Sequence, residues 1–278
     1  MDYVIRRLVV DAGNEAALTA AFAAAGFTAH VFSTRTDGRL DLELYGADGE
    51  FPDGVIAALA LLGLDTGEVR RTSERDLLAN VLDGEPCELC PGVWIDPQGS
   101  MPQDEGRLVL HIPPSPAFGD GHHPSTRMAA ALLMEMDLRG RRMLDLGCGT
   151  GVLGLIAHRR GAVALTFSDV DDGSVRSTRE SCRLNGCVPA AVLASDLLAG
   201  VPSQPVDVVV ANLYADLLLL VADDPRLSVI LPRGTLLVSG VAQDKRAVVE
   251  AAFIRLGFIV AAAREEAWWC ALRLERTG

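Results

Sequence analysis

The sequence predicts an α/β protein, with a doubly wound, mostly parallel seven-stranded sheet and, before it, a small ferredoxin-like α+β domain. Three observations carry this. From Pro124 onward, short β-branched apolar runs alternate with stretches of helical period, the pattern of strands joined by crossover helices. A glycine-dense turn, Gly147-Cys148-Gly149-Thr150-Gly151, follows the first run and opens the helix after it. The last two runs are separated by only a short turn, which predicts a closing antiparallel hairpin.

The first 72 residues read as βαββαβ, the order of a ferredoxin-like domain. Residues 3–10 are a strand, 13–25 an Ala-rich helix ending at Gly26, and 27–33 a second strand. Asp37-Gly38 is a turn signal, after which Leu40, Leu42 and Leu44 alternate with acids in a third strand. An apolar helix over 53–62 stops at Gly63, and 68–72 is a short final strand. Residues 73–115 are rich in Pro, Gly and acids and read as a connector. It holds a short helix over 73–82, short strands at Val93–Ile95 and Leu108–Leu110, and an extended Pro113-Pro114-Ser115-Pro116. Residues 116–278 form the third segment. Its expected strands are 142–146, 163–169, 190–194, 206–211, 235–239, 258–262 and 268–274. Its expected helices are 126–136, 152–160, 173–185 and 245–256, with a long helix beginning at Leu217.

Bulk properties exclude several classes. The 278 residues are 49% hydrophobic and 22% charged, ordinary values for a globular protein. No apolar run approaches the ~20 residues of a membrane span, so no membrane role is expected. The N-terminal Met-Asp-Tyr-Val-Ile-Arg-Arg lacks the layout of a signal peptide, and six scattered cysteines suit a reducing cytoplasm. Cys87-Glu88-Leu89-Cys90 has no second pair at matching spacing, and His122-His123 has no carboxylate at ligand spacing, so no metal is expected. The net charge of −12 is lopsided: residues 1–115 carry 19 acids against 8 arginines, and residues 116–278 carry 18 acids against 17 basic groups. An acidic first segment repels nucleic acid phosphates and attracts basic partners.

In open α/β sheets, ligands bind beyond the carboxyl ends of the strands. Those positions hold Asp145 and Gly147 to Gly151, then Asp169, then Ser195-Asp196, then Asn212-Leu213-Tyr214. Two ligands compete for them. Gly149-Thr150-Gly151-Val152-Leu153-Gly154 fits the G-x-G-x-x-G dinucleotide fingerprint, with Asp169 placed for a ribose. Asp145-Leu146-Gly147-Cys148-Gly149-Thr150-Gly151 also fits D-x-G-x-G-x-G, a loop that binds S-adenosylmethionine. On either reading Asp169 accepts from ribose hydroxyls, and Asp196 stands where it can accept from an adenine amine.

The segment Phe118-Gly119-Asp120-Gly121-His122-His123-Pro124-Ser125-Thr126 resembles the F-G-T-G-x-H-x-T-T signature of the ribosomal protein L11 methyltransferase family (PrmA). The resemblance continues through Asp145 to Gly151, Ser168-Asp169-Val170-Asp171, Ala211-Asn212-Leu213-Tyr214-Ala215 and Glu266-Ala267-Trp268-Trp269. It implies a class I methyltransferase fold over 116–278 and S-adenosyl-L-methionine as cofactor, held by Phe118, Gly119, His123, Thr126, Asp145, Gly147, Gly149, Gly151, Asp169, Asp196 and Asn212. Asn212 matches the Asn of the N-P-P-Y motif in other amine methyltransferases, without the prolines, and is expected to orient the amine. Tyr214 or Phe118 is expected to wall the pocket. The implied activity is N-methylation of lysine side chains or the N-terminal amine of a basic large-subunit ribosomal protein. Residues 1–72 would capture that protein free rather than on the ribosome, with no direct nucleic acid contact, by a monomer. Asp120 departs from the family's Thr; a carboxylate there predicts weakened cofactor binding unless Arg127 or the methionyl ammonium compensates. Alternatives are a same-fold methyltransferase of another protein or small molecule, a non-catalytic binding protein, and a nucleotide-dependent dehydrogenase.

Overall fold

The computed structural model describes residues 2–27, 30–34, 38–47, 51–64, 68–73, 85–102 and 106–276. The chain divides into two compact units, Met1–Val81 and Leu82–Gly278.

In the first unit, β1 (Asp2–Val10), β2 (His30–Thr34), β3 (Leu40–Ala47) and β4 (Glu68–Ser73) form an antiparallel sheet of order β2-β3-β1-β4. Helices α1 (Glu15–Ala24) and α2 (Asp53–Leu61) lie between β1 and β2 and between β3 and β4, which gives the expected βαββαβ order. The alternation in β3 works as the sequence implies: Leu40, Leu42 and Leu44 are buried, while Asp41 and Glu43 stay partly exposed. They pack with Leu18 and Phe22, one helical turn apart on α1, and with Val55 and Leu59 of α2. His30 enters this core. Its ring lies edge-on to Phe22 (5.1 Å between centroids) and Phe32 (5.7 Å) and stacked with Phe27 (6.4 Å). Nδ1 is buried without a partner among the described residues, and burial lowers the imidazole pKa to about 4.

In the second unit, β8 (Arg142–Leu146), β9 (Val163–Asp169), β10 (Ala191–Ala194), β11 (Val208–Asn212), β12 (Gly234–Ala242), β13 (Ile259–Glu266) and β14 (Trp269–Arg276) build one sheet. Its order is β10-β9-β8-β11-β12-β14-β13; the first five strands pair in parallel and β14 pairs antiparallel with both neighbours. Consecutive side chains of the central strands serve opposite faces. Val208 and Val210 join α4 (Val152–Arg159) and α3 (Pro124–Met134) on one side. Val209 and Ala211 join α6 (Ala215–Asp223) and α8 (Arg246–Ile254) on the other. Both faces are thus covered, which is why these strands read as unbroken apolar runs. Truncating a fully buried ring here, such as Phe253, costs about 3–5 kcal/mol.

Two expectations need correction, and one falls outside the description. The long helix expected from Leu217 is two helices: α6 ends at Asp223, and Pro225 precedes a five-residue α7 (Arg226–Ile230), since proline lacks the N–H a continuing helix needs. Within residues 87–112, read as connector, the expected strands β6 (Val93–Ile95) and β7 (Leu108–Leu110) are present and an unexpected β5 (Cys87–Cys90) joins them in a small sheet that belongs to the second unit. Leu89, Val93, Ile95, Leu110 and Ile112 pack into the same core as Met128, Leu132 and Leu133 of α3. The helix expected over 73–82 falls, apart from Ser73 of β4, on residues outside the described set.

Candidate active site

The sheet order reverses at the β8–β11 pair, and the glycine loop leaves β8 there. Gly147, Gly149 and Gly151 have φ of +71°, +53° and +80°, where a Cβ is strained. The loop is clamped from four directions. Gly147 and Cys148 N–H donate to the Ser168 carbonyl (2.8 and 3.0 Å), and Gly149 N–H donates to Asp169 Oδ2 (2.9 Å). Thr150 donates through N–H to the Phe118 carbonyl (2.9 Å) and through Oγ1 to the Gly119 carbonyl (2.8 Å). Thr178 of α5 (Asp172–Leu184) donates to the Gly149 carbonyl (2.8 Å). A Cβ on Gly149 would sit 2.1 Å from the Phe118 carbonyl oxygen, so only glycine lets segment 118–119 lie on the loop. Asp145 lies beneath it, fully buried, with Oδ2 accepting from Gly154 N–H (2.8 Å) near the start of α4. Desolvation pushes its pKa up to about 7 against the opposing Gly154 hydrogen bond. This geometry makes Asp145 a brace between loop and helix.

Asp169 ends β9 half-buried. Its Oδ1 accepts from Asp171 N–H (3.0 Å), and a carboxylate's remaining lone pairs can still receive hydroxyl donors. Ser195 N–H donates to the Asp169 carbonyl (2.8 Å), which brings the β10 loop alongside. Ser195 Oγ also ties that loop, donating to the Leu197 carbonyl and accepting from Gly200 N–H (both 2.8 Å). Asp196, the next residue, is exposed.

On the other side of the reversal, Asn212 Nδ2 donates to Thr126 Oγ1 (3.3 Å), while its Oδ1 is buried with no protein partner among the described residues. Leu213 lies against the glycine loop, since a Cβ on Gly147 would come within 2.4 Å of it. Gly240 is equally constrained: at φ +77° a Cβ would meet the Leu213 carbonyl at 2.7 Å and Asn212 Oδ1 at 3.1 Å. His123 caps α3, its Nδ1 accepting from Ser125 N–H (3.2 Å), and its ring meets Phe118 (5.2 Å) and Trp269 (4.9 Å) edge-on. Tyr214 is tilted against Trp269 at 6.3 Å, and burial raises its phenol pKa. Phe118, His123, Trp269 and Tyr214 thus make one aromatic wall, and Asn212 is held at Thr126, three residues beyond His123 on α3.

Every site residue expected from the sequence lies at this end of the sheet. Three further contributors were not expected as site residues: Trp269, Thr178 and Gly240. For Gly240 a signal was present, because an isolated glycine in a strand marks a close backbone approach. Asp120 differs from expectation in its partner. Arg127 pairs with Glu266 (3.2 Å) instead, and Asp120 is served by His122, through N–H to Oδ1 (3.1 Å) and Nδ1 to Oδ2 (3.4 Å). Burial alone would raise the Asp120 carboxyl, but hydrogen bonds from His122 outweigh that and hold it below the usual carboxylate range.

These residues fit a nucleoside-bearing sulfonium cofactor: a left-handed glycine turn at a helix N-terminus, a half-buried carboxylate beyond β9, and a buried amide oxygen at Asn212 with no partner among the described residues. Fold and site together define a class I S-adenosylmethionine-dependent methyltransferase. A family profile described as ribosomal protein L11 methyltransferase (PrmA) matches residues 58–277. The chain belongs to the ribosomal protein L11 methyltransferase family. The ribosomal protein L11 methyltransferase of Azotobacter vinelandii (strain DJ / ATCC BAA-1303) is 34% identical over 233 residues, 82% of this chain and 78% of its own. That of Streptococcus pyogenes serotype M28 is 34% identical over 229 residues, 80% and 72% of the two chains. The crystal structure of ribosomal protein L11 methylase from Lactobacillus delbrueckii subsp. bulgaricus superposes with a TM-score of 0.64 at 26% identity, over 70% of this chain and all of its own.

Proposed function

We propose that this enzyme methylates lysine side-chain or N-terminal amines of ribosomal protein L11. The observation that carries the reading is the buried, unpartnered Asn212 Oδ1, next to the residue that packs on the glycine loop. An acceptor in that position receives an amine N–H and aims the nitrogen lone pair towards the cofactor cradle. Bound S-adenosylmethionine supplies the electrophilic methyl group. Transfer to nitrogen is a direct displacement, so the protein contributes chiefly by holding amine and methyl carbon in line, an orientational effect. Thr126 fixes the Asn212 amide through its Nδ2. Phe118, His123, Trp269 and Tyr214 exclude water on one side, and their ring faces favour the cationic nitrogen.

In this reading the left-handed turn at Gly147, Gly149 and Gly151 lets the backbone lie close to the cofactor, Asp169 takes the ribose hydroxyls and Asp196 the adenine amine. Phe118, Gly119 and His123 close over its amino-acid end, and Asp145 braces the loop from below. Residues 1–115 carry the acidic excess and recruit the basic substrate as a free protein, in the cytoplasm, to a monomeric enzyme. Among the described residues, no helix is long and apolar enough to cross a membrane. Calorimetry with S-adenosylmethionine, followed by intact-mass analysis of purified L11 incubated with enzyme and cofactor, tests the reading. Micromolar binding with mass gains of one methyl group or multiples of it is expected; an unchanged L11 mass sinks it.

A further inference from the structure

We infer that the Asp120–His122 pair takes the proton that the substrate ammonium must lose before methyl transfer, an assignment that rests on the methyltransferase reading. A lysine amine, pKa ~10.4, is almost wholly protonated near neutral pH and has no lone pair to give. The known elements of the site hold nitrogen in line but leave that proton without a destination. Asn212, Thr126, Phe118, Trp269 and the Tyr214 phenol do not take up protons in this range, His123 spends its Nδ1 lone pair on the Ser125 N–H, Asp145 is sealed beneath the loop, and Asp169 lies on the cofactor's side of the reversal.

The pair sits where such an acceptor is needed. Gly119, just before Asp120, has its carbonyl bound to Thr150 of the glycine loop; His123, just after His122, packs on Trp269. Both neighbours are therefore fixed in the site, and the exposed turn between them is at its mouth. Within the turn, His122 Nδ1 faces Asp120 Oδ2 at 3.4 Å, and Oδ1 is fixed by the His122 N–H at 3.1 Å. A carboxylate on Nδ1 selects the tautomer with hydrogen there, which leaves the Nε2 lone pair outward to accept a proton. The groups bearing on the imidazole are Asp120 from its own segment and Arg127 of α3, itself paired with Glu266 of β13, while His123 bears on Asp120. Cys87 of β5 bears on Asp120. The Asp120 hydrogen bond raises the His122 pKa, against the smaller opposing effects of burial and Arg127.

The step balances. One proton moves from the substrate ammonium to His122 Nε2. The freed nitrogen lone pair forms the N–C bond as the sulfonium S–C bond breaks, with that electron pair remaining on sulfur. The imidazolium then returns its proton to solvent. Asp120 acts through His122 and is a positioning residue.

The test joins histidine NMR titration to pH–rate profiles for methylation of purified L11 under saturating cofactor, in wild type, His122→Asn and Asp120→Asn. In wild type the rate levels off above a pH that coincides with the NMR midpoint of His122, and Asp120→Asn moves both midpoint and inflection down together. In His122→Asn the rate falls about 100-fold near pH ~7. It then climbs roughly tenfold per pH unit as solvent deprotonates the amine, with KM for L11 unchanged. Superimposable profiles for wild type and His122→Asn overturn the assignment, as does an NMR midpoint that Asp120→Asn leaves in place. A wild-type chain that binds cofactor yet leaves L11 unmethylated at every pH overturns the parent reading, and this one with it.

Discussion

His30 makes the stability of the first unit depend on pH by an amount that follows from its surroundings. The imidazole is packed among Phe22, Phe27 and Phe32 with Nδ1 unpartnered, and its pKa falls to about 4 from an ordinary 6.5. A histidine whose folded pKa is depressed binds protons more readily when unfolded, so its contribution is intact above the unfolded pKa. It is lost progressively as pH falls from about 6.5 towards about 4. At pH ~5 the proton-linked factor favouring unfolding is about 30-fold, or about 2 kcal/mol, and the ceiling below pH ~4 is about 3 kcal/mol. Replacing His30 with Phe removes the titration and suits the aromatic neighbours. Hydrogen exchange of the full-length chain, corrected for intrinsic rates and read separately on peptides from 2–73 and 116–276, measures the effect. Wild type should lose about 30-fold of protection in the first set between pH ~7.5 and pH ~5, and His30→Phe should lose little. An equal loss in both proteins refutes the reasoning.

Three further outcomes are expected. Gly149→Ala forces a side chain into the left-handed region, at about 1–2 kcal/mol, and drives its Cβ into the Phe118 carbonyl; calorimetry should show S-adenosylmethionine binding weakened at least fivefold. Asn212→Ala leaves the amine without its acceptor, and kcat should drop about 100-fold while cofactor affinity changes less, read by single-turnover methylation. Asp145 has a folded pKa raised to about 7 by burial, so its ionisation opposes folding increasingly as pH rises from about 4 to about 7. Asp145→Asn should therefore raise the melting temperature of the cofactor-free enzyme at pH ~8 but not at pH ~4, and equal shifts at both would refute the desolvation account.

What the sequence disclosed follows from how local each feature is. The loop from Gly147 to Gly151 and Asp169 could be placed because a strand, its terminal residue and the next helix are contiguous, and glycine at these φ values has few substitutes. Leu40, Leu42 and Leu44 likewise declared a one-sided strand. Trp269 was quoted only as part of a motif, because its contacts with His123 and Tyr214 are made by folding the last described strand between β12 and β13. The partner of Asp120 was misjudged for a related reason: Arg127 lies on the next helix but is taken by Glu266 from β13. Strand β5 hid in a stretch dense in Pro, Gly and acids, since a four-residue strand owes its existence to α3 packing on Leu89 and Cys90 rather than to its own pattern. Pro225, by contrast, was legible and should have ended the helix.

The position of β14 bears on how the enzyme matures. This strand is the last one described along the chain, yet it enters the sheet between β12 and β13 and brings Trp269 to the aromatic wall. Phe118, the glycine loop and Asp169 are synthesised well before it. A chain still being made therefore possesses a cofactor cradle with one side of its catalytic pocket missing. Strands β13 and β14 form a tight hairpin, Glu266 facing Trp269, so this side closes as one unit once β14 is made. Competence to methylate thus arrives abruptly with the final insertion rather than growing with the chain.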